Sequence, residues 1–258
     1  MIDILKAEKA FDEYSNLFDT NNSKVKRKIE HTHRVKFYSK AIAESIGLEE
    51  EKVKLAELIG ILHDVGRFNQ LVKIGSFSDR KLDHAVEGCN VLFEENKIHD
   101  YIDDTKYDDI IRKAILNHNK YSIEDVINDD ELLFSKIIRD ADKLDLLEMY
   151  RQEEWIIDMV GDKYNDRNEI TKEVYDGFMN NKQIPRSLGL HKTMIDIVIN
   201  TIGFIFDINY QYTLKMLRDK NTINIVIDNV EKINTESIEE LETIRKHANE
   251  YLDQKIVS

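Results

Sequence analysis

A single proline, Pro185, interrupts this chain of 258 residues, and only nine glycines accompany it. Proline removes a backbone donor and glycine costs backbone entropy, so these two residues stop helices most readily. A chain that nearly lacks both favours long helices over turn-rich β structure. Apolar residues make up 41% of the sequence, enough for a substantial core. The expected fold class is all-α. No internal repeat, low-complexity tract or linker is visible, so the sequence reads as a single all-α domain over 1–258.

Periodicity places the helices. Residues 1–20 read as an amphipathic helix, followed by the polar break TNNSK. From about Lys26 to Ile46, Val35, Tyr38 and Ile42 recur at helical spacing, and Gly47 is placed to end that helix. Residues 50–63 are apolar on nearly every side, the pattern of a central buried helix. The stretch GRFNQLVKIGSFSDRKL, 66–82, reads as a loop, with Asp83 or Ser78 as the cap of a helix over about 84–97. Further helices are expected at about 107–118, 131–155, 167–180 and 190–218, and from Glu236 onward. The segment TINIVIDNV fits a short strand as well as a helix.

The net charge of −13 repels nucleic-acid backbones and anionic membranes, so extended binding to either is not expected. A small phosphorylated substrate stays compatible with that charge if a metal supplies local positive potential. The lone cysteine, Cys89, excludes an internal disulfide and suits a reducing compartment. The opening MIDILKAEKAFDEY carries charges every few residues, unlike a signal-peptide core. The apolar run MIDIVINTIGFIFDINY is broken by Asp196, Asn200 and Asp207, and reads as a buried helix rather than a membrane span. The expected location is cytoplasmic.

The stretch ILHDVGRFNQ, 61–70, sets His63 and Asp64 at the end of the apolar helix. A buried, unpaired aspartate is costly, and a cation removes the cost. Four other places carry metal-ligand side chains on or beside apolar faces. His31 shares a face with Val35 and Tyr38, His84 opens the 84–97 helix, His118 closes the 107–118 helix, and Asp142 follows Ile138 by four residues. Any one of these histidines alone fits an ordinary hydrogen-bonded core residue. Six donors of mixed imidazole and carboxylate type suit two octahedral ions, with Asp64 placed to bridge them. His33 competes with His31, and Asp140 with Asp142.

The motifs HTHRV at 31–35, LHDVGRF at 62–68 and DADKLD at 140–145 resemble the HD-domain metal-dependent phosphohydrolases. DHAVEG at 83–88 and NHN at 117–119 resemble the two further histidine motifs of the binuclear subset. The resemblance covers roughly residues 25–150. It implies an HD-domain helical bundle over that core, with additional C-terminal helices over about 151–258. It selects His31, His63, Asp64 and Asp142 as core metal ligands and His84 and His118 as ligands to a second ion. One or two divalent ions per chain are implied, two being expected, drawn from Mn²⁺, Fe²⁺, Mg²⁺, Ni²⁺ or Zn²⁺. The expected reaction is hydrolysis of a small phosphate ester, a nucleotide first among the candidates, by a metal-bound hydroxide. Asp64 is then a catalytic residue, with Arg67 and Lys143 holding the substrate phosphate. Gln70, Ser76 and Asp83 are candidates to shape the pocket. The same ligand order also occurs in di-iron HD-domain oxygenases, and a non-catalytic nucleotide-sensing module is a third reading. The region after 155 carries no chemical motif, and is read as packing on the core, covering the site or forming a homodimer interface.

Overall fold

The computed structural model describes residues 2–160, 169–185, 188–233 and 236–256, with side chains of 157–160 left out. Every regular element among the described residues is helical. The chain divides into two compact units, 1–142 and 143–258.

The first unit opens with α1 (Ile4–Ser15), α2 (Ser23–Ser45) and α3 (Glu50–Leu62). Helix α3 is buried from Leu55 to Leu62, including Leu58, Ile59 and Ile61. It packs closely on α2 because Gly60 has no side chain: a Cβ there would lie 2.7 Å from the Lys36 Cα. Next come α4 (Val65–Ile74), α5 (His84–Cys89) continued by a π-turn over Asn90–Glu94, α6 (Ile98–Tyr101) and a 3-10 turn over Thr105–Tyr107. Helix α7 (Asp108–His118) follows, and then α8 (Asp129–Met149), which runs through the boundary into the second unit.

Helix α4 overturns the expectation of a loop from Gly66. Val65, Phe68 and the side chain of Gln70 are buried, so the segment has an inward face. Phe68 lies edge-on to Phe11 and Tyr14 of α1, at centroid distances of 5.9 and 5.8 Å. The Tyr14 hydroxyl donates to the Val65 carbonyl at 3.2 Å. The glycine that ends the helix is Gly75, at φ +69°, where a left-handed backbone suits a residue without Cβ. Gly66 instead lies in the α4–α5 contact, where a Cβ would overlap the His84 carbonyl oxygen and the Gly88 amide nitrogen. Asp83 is the cap of α5, its carboxylate accepting from the Ala85 amide at 2.9 Å.

Cys89, at the end of α5, is 4% exposed, and burial pushes its thiol up to about 12. Only the thiolate reacts, so at pH 8 little of the Cys89 thiol is reactive in the folded chain. Iodoacetamide labelling is therefore expected to be slow in the native protein, to quicken as pH rises, and to become fast in urea. Rapid labelling at pH 8 without urea would show that the α5 packing is wrong.

The second unit contains the end of α8, α9 (Glu153–Val160), α10 (Lys172–Met179), α11 (Met194–Ile202), a 3-10 turn over Gly203–Asp207, α12 (Gln211–Asp219), α13 (Thr222–Ile233) and α14 (Ile238–Lys255). Residues 167–168 of the expected 167–180 helix, and the last two residues of the C-terminal one, lie outside the described residues. TINIVIDNV is helical: Ile223, Val226, Ile227 and Val230 are buried at the spacing of one helix face. In the late apolar run, Asp196 is not a misplaced charge. It completes a capping box with Thr193 at the start of α11 and also accepts from the Thr171 amide at 2.9 Å. Among the described residues no helix is long and apolar enough to cross a membrane.

Candidate metal centre

Helices α3 and α4 meet at the His63–Asp64 dipeptide. His63 is the C-cap of α3 and Asp64 the N-cap of α4, yet the Asp64 carboxylate makes no capping bond. It turns instead into a group of histidines. His31 comes from the middle of α2, His84 from the first residue of α5 and His118 from the last residue of α7. Each of these donors is at most 5% exposed.

The two oxygens of Asp64 face different histidines. Oδ2 lies 3.5 Å from His31 Nε2 and 3.6 Å from His63 Nε2. Oδ1 lies 3.2 Å from His84 Nε2 and 3.6 Å from His118 Nε2. Asp142 joins the first group, its Oδ1 3.1 Å from His31 Nε2. Thus the structure brings His31, His63, Asp64, His84, His118 and Asp142 together. The competing His33 is absent from this group; its ring lies edge-on to Phe11 at 5.8 Å.

The histidine hydrogen bonds show what the group lacks. His63 Nδ1 donates to the Gly60 carbonyl at 2.8 Å, and His118 Nδ1 to the Ile115 carbonyl at 2.6 Å. His84 Nδ1 donates to the Asp79 carboxylate at 2.6 Å. Carbonyls and carboxylates only accept, so in the neutral rings each proton sits on Nδ1 and each Nε2 is a bare lone pair. Yet His84 Nε2 and His118 Nε2 are 2.8 Å apart, with Asp64 Oδ1 beside them. Acceptors packed on acceptors away from water are costly, and a divalent cation between them reverses the sign of the interaction. The residues therefore fit a metal. Two sets, His31–His63–Asp64 and Asp64–His84–His118, each present their donor atoms within 4.8 Å of one another. Nitrogen and oxygen donors without sulfur suit Mn²⁺, Fe²⁺ and similar ions.

The protonation states agree. Burial lowers the His63 pKa to about 3, so the ring stays neutral and able to ligate. Burial alone would raise Asp64, but the charges of Lys28 and His63 and the hydrogen bonds from His118 and His31 together hold the carboxyl well below its ordinary range. For Asp142 burial again acts upward, and the hydrogen bond from His31 together with the charges of His31, His63 and His118 lowers the carboxyl below its ordinary range.

Lys28 went unnoticed in the sequence. Its Nζ lies 2.7 Å from Asp64 Oδ2, with the side chain 17% exposed. Its position three residues before His31, on the same face of α2, is the signal that could have found it. Arg67 borders the group, its Nε 3.6 Å from Asp64 Oδ1, but its fork is engaged by Asp79 at 3.0 and 3.3 Å. Lys143 belongs to the second unit and pairs there with Asp207. Gln70 donates to Asp79 at 2.9 Å and to the Leu82 carbonyl at 2.6 Å, while Ser76 lies in the loop between α4 and α5. Arg139, also missed, is buried in α8 and donates to the carbonyls of Asn117, Lys120 and Tyr121 at 2.8, 2.6 and 3.2 Å. A cation there closes the C-terminal end of α7, where His118 stands.

No curated protein and no solved structure matches the chain. The family model for the HD domain matches residues 29–147, the span that supplies all six donors. HD domains are characteristic of metal-dependent hydrolases. With the fold, the donor set and the family match in agreement, residues 29–147 of the chain form an HD domain.

Proposed function

We propose that this protein is a phosphohydrolase of small phosphate esters, with nucleotides the leading substrate class, in which His31, His63, Asp64, Asp142, His84 and His118 would hold two divalent ions, Asp64 serving both. The observation that carries the reading is the split of the Asp64 carboxylate, one oxygen toward His31 and His63 and the other toward His84 and His118. A pair of ions supplies Lewis acidity, clamping phosphoryl oxygens and acidifying water.

The chain supplies the rest. His31, His63, Asp64 and Asp142 form one donor half, and Asp64, His84 and His118 the other. Burial keeps His63 neutral, while neighbouring charges and hydrogen bonds keep Asp64 and Asp142 ionised, as ligation requires. Lys28 and Arg67 bring positive charge to the edge of the group, both lying 5.7 Å from the centroid of the Phe77 ring. In a chain of net charge −13 these two cations, with the metals, make this a place that favours a phosphate. Hydrolysis joins a water oxygen to phosphorus and breaks the bond to the leaving group, which takes up a proton.

The test is elemental analysis of the purified protein, followed by assay of p-nitrophenyl phosphate and a nucleotide panel with added Mn²⁺. Two ions per chain, and turnover abolished by His63→Ala, are expected. Bound iron with substrate-dependent O₂ uptake would replace this reading with the oxygenase one. Nucleotide binding without turnover at any metal would leave a sensing module.

A further inference from the structure

His63 and His118 stand at the ends of α3 and α7, and each fixes its Nδ1 proton on the carbonyl three residues earlier, Gly60 or Ile115. His84 has no such option, because it is the first residue of α5 and no helical turn precedes it. Its orienting partner must come from elsewhere, and that partner is Asp79. The Asp79 Oδ1 accepts from His84 Nδ1 at 2.6 Å, from Gln70 Nε2 at 2.9 Å and from Arg67 Nη1 at 3.0 Å. Its Oδ2 accepts from Arg67 Nη2 at 3.3 Å. Gln70 is fully buried and also ties down the Leu82 carbonyl, so the loop carrying Asp79 is fastened to α4 from both sides of the aspartate.

We propose that Asp79 is a positioning residue that locks His84 with its Nε2 toward the second ion and ties that half of the donor set to Arg67. It touches no reacting atom in this role; it acts through His84. A carboxylate on Nδ1 holds the ring orientation and makes Nε2 a stronger donor than a carbonyl partner does. The two halves of the centre are therefore supported differently. The half with His63 depends on its own helix, whereas the half with His84 depends on a loop being docked. This proposal rests on the two-ion reading above.

The experiment pairs Mn²⁺ calorimetry on the stripped protein with ¹⁵N-resolved NMR of the imidazoles in the metal-free state. Asp79→Ala is expected to weaken one of two Mn²⁺ ions by about 10–100-fold and leave the other unchanged. His84→Ala should remove that same ion, and Asp79→Glu should recover most of the affinity. Without metal, His84 should show a single Nδ1–H tautomer in the wild type and a mixture in Asp79→Ala. Equal weakening of both ions, or an unchanged His84 tautomer, overturns the proposal. If the wild type binds one ion only, the two-ion reading fails, and the tautomer measurement still decides the role of Asp79. The Asp79 side chain is 40% exposed, so the substitutions at Asp79 leave the core intact.

Discussion

Alanine at Gly66 is expected to destabilise the protein by about 3 kcal/mol or more, at or above the upper end of ordinary overpacking costs. The added Cβ would meet the His84 carbonyl oxygen and the Gly88 amide nitrogen, both inside the 3.0 Å below which Cβ atoms are essentially never found. Both obstacles are backbone, so no side chain can swing aside. Relief requires α4 and α5 to separate, and His84 moves with α5. At an exposed helix position the same change would help by about 1 kcal/mol. Here a lower urea midpoint, faster Cys89 labelling and loss of one bound ion should appear together. An unchanged midpoint would mean that the two helices are further apart than described.

Asp64→Asn is expected to abolish binding of both ions and to lower turnover by more than about 1000-fold, the scale of losing a preorganised charged element. His84→Ala, by contrast, should remove one ion only. The asymmetry follows from Asp64 alone facing both histidine groups. The metal-free variant should remain folded, within about 1 kcal/mol of the metal-free wild type. The new amide can donate to an Nε2 lone pair that the carboxylate opposed, offsetting the lost pair with partly exposed Lys28. Retention of either ion at wild-type affinity would show that Asp64 does not bridge.

Most of this was legible in one dimension for a definite reason. Helical faces repeat every three to four residues, so the inward placement of His31 beside Val35 and Tyr38, and of Asp142 beside Ile138, is written in the spacing. Helix α4 was not legible, because Gly66 looks like a helix terminator when it is in fact a site of backbone contact with α5. That contact joins residues far apart in sequence and leaves no local trace. Asp79 was hidden for the same reason: a loop aspartate has no period, and only the folded loop brings it to His84. Lys28 was legible in principle, since a three-residue helical offset from a ligand places it on the ligand's face. The replacement of an 84–97 helix by α5 and a π-turn ending at Glu94 was not, because apolar periodicity continues smoothly across changes of helical pitch.

The facing lone pairs of His84 and His118 also bear on how long the protein lasts in a cell. Without a cation the fold has to hold acceptors against one another, and with one it gains by RT ln(1 + [ion]/Kd), about 4 kcal/mol at a thousandfold excess over Kd. Degradation of a marginally stable chain follows the population of its opened state. If the donor set binds its ions as proposed, the metal-free chain is expected to be cleaved faster by added protease than the metal-loaded chain, and equal cleavage rates would show that the ion adds nothing to the fold.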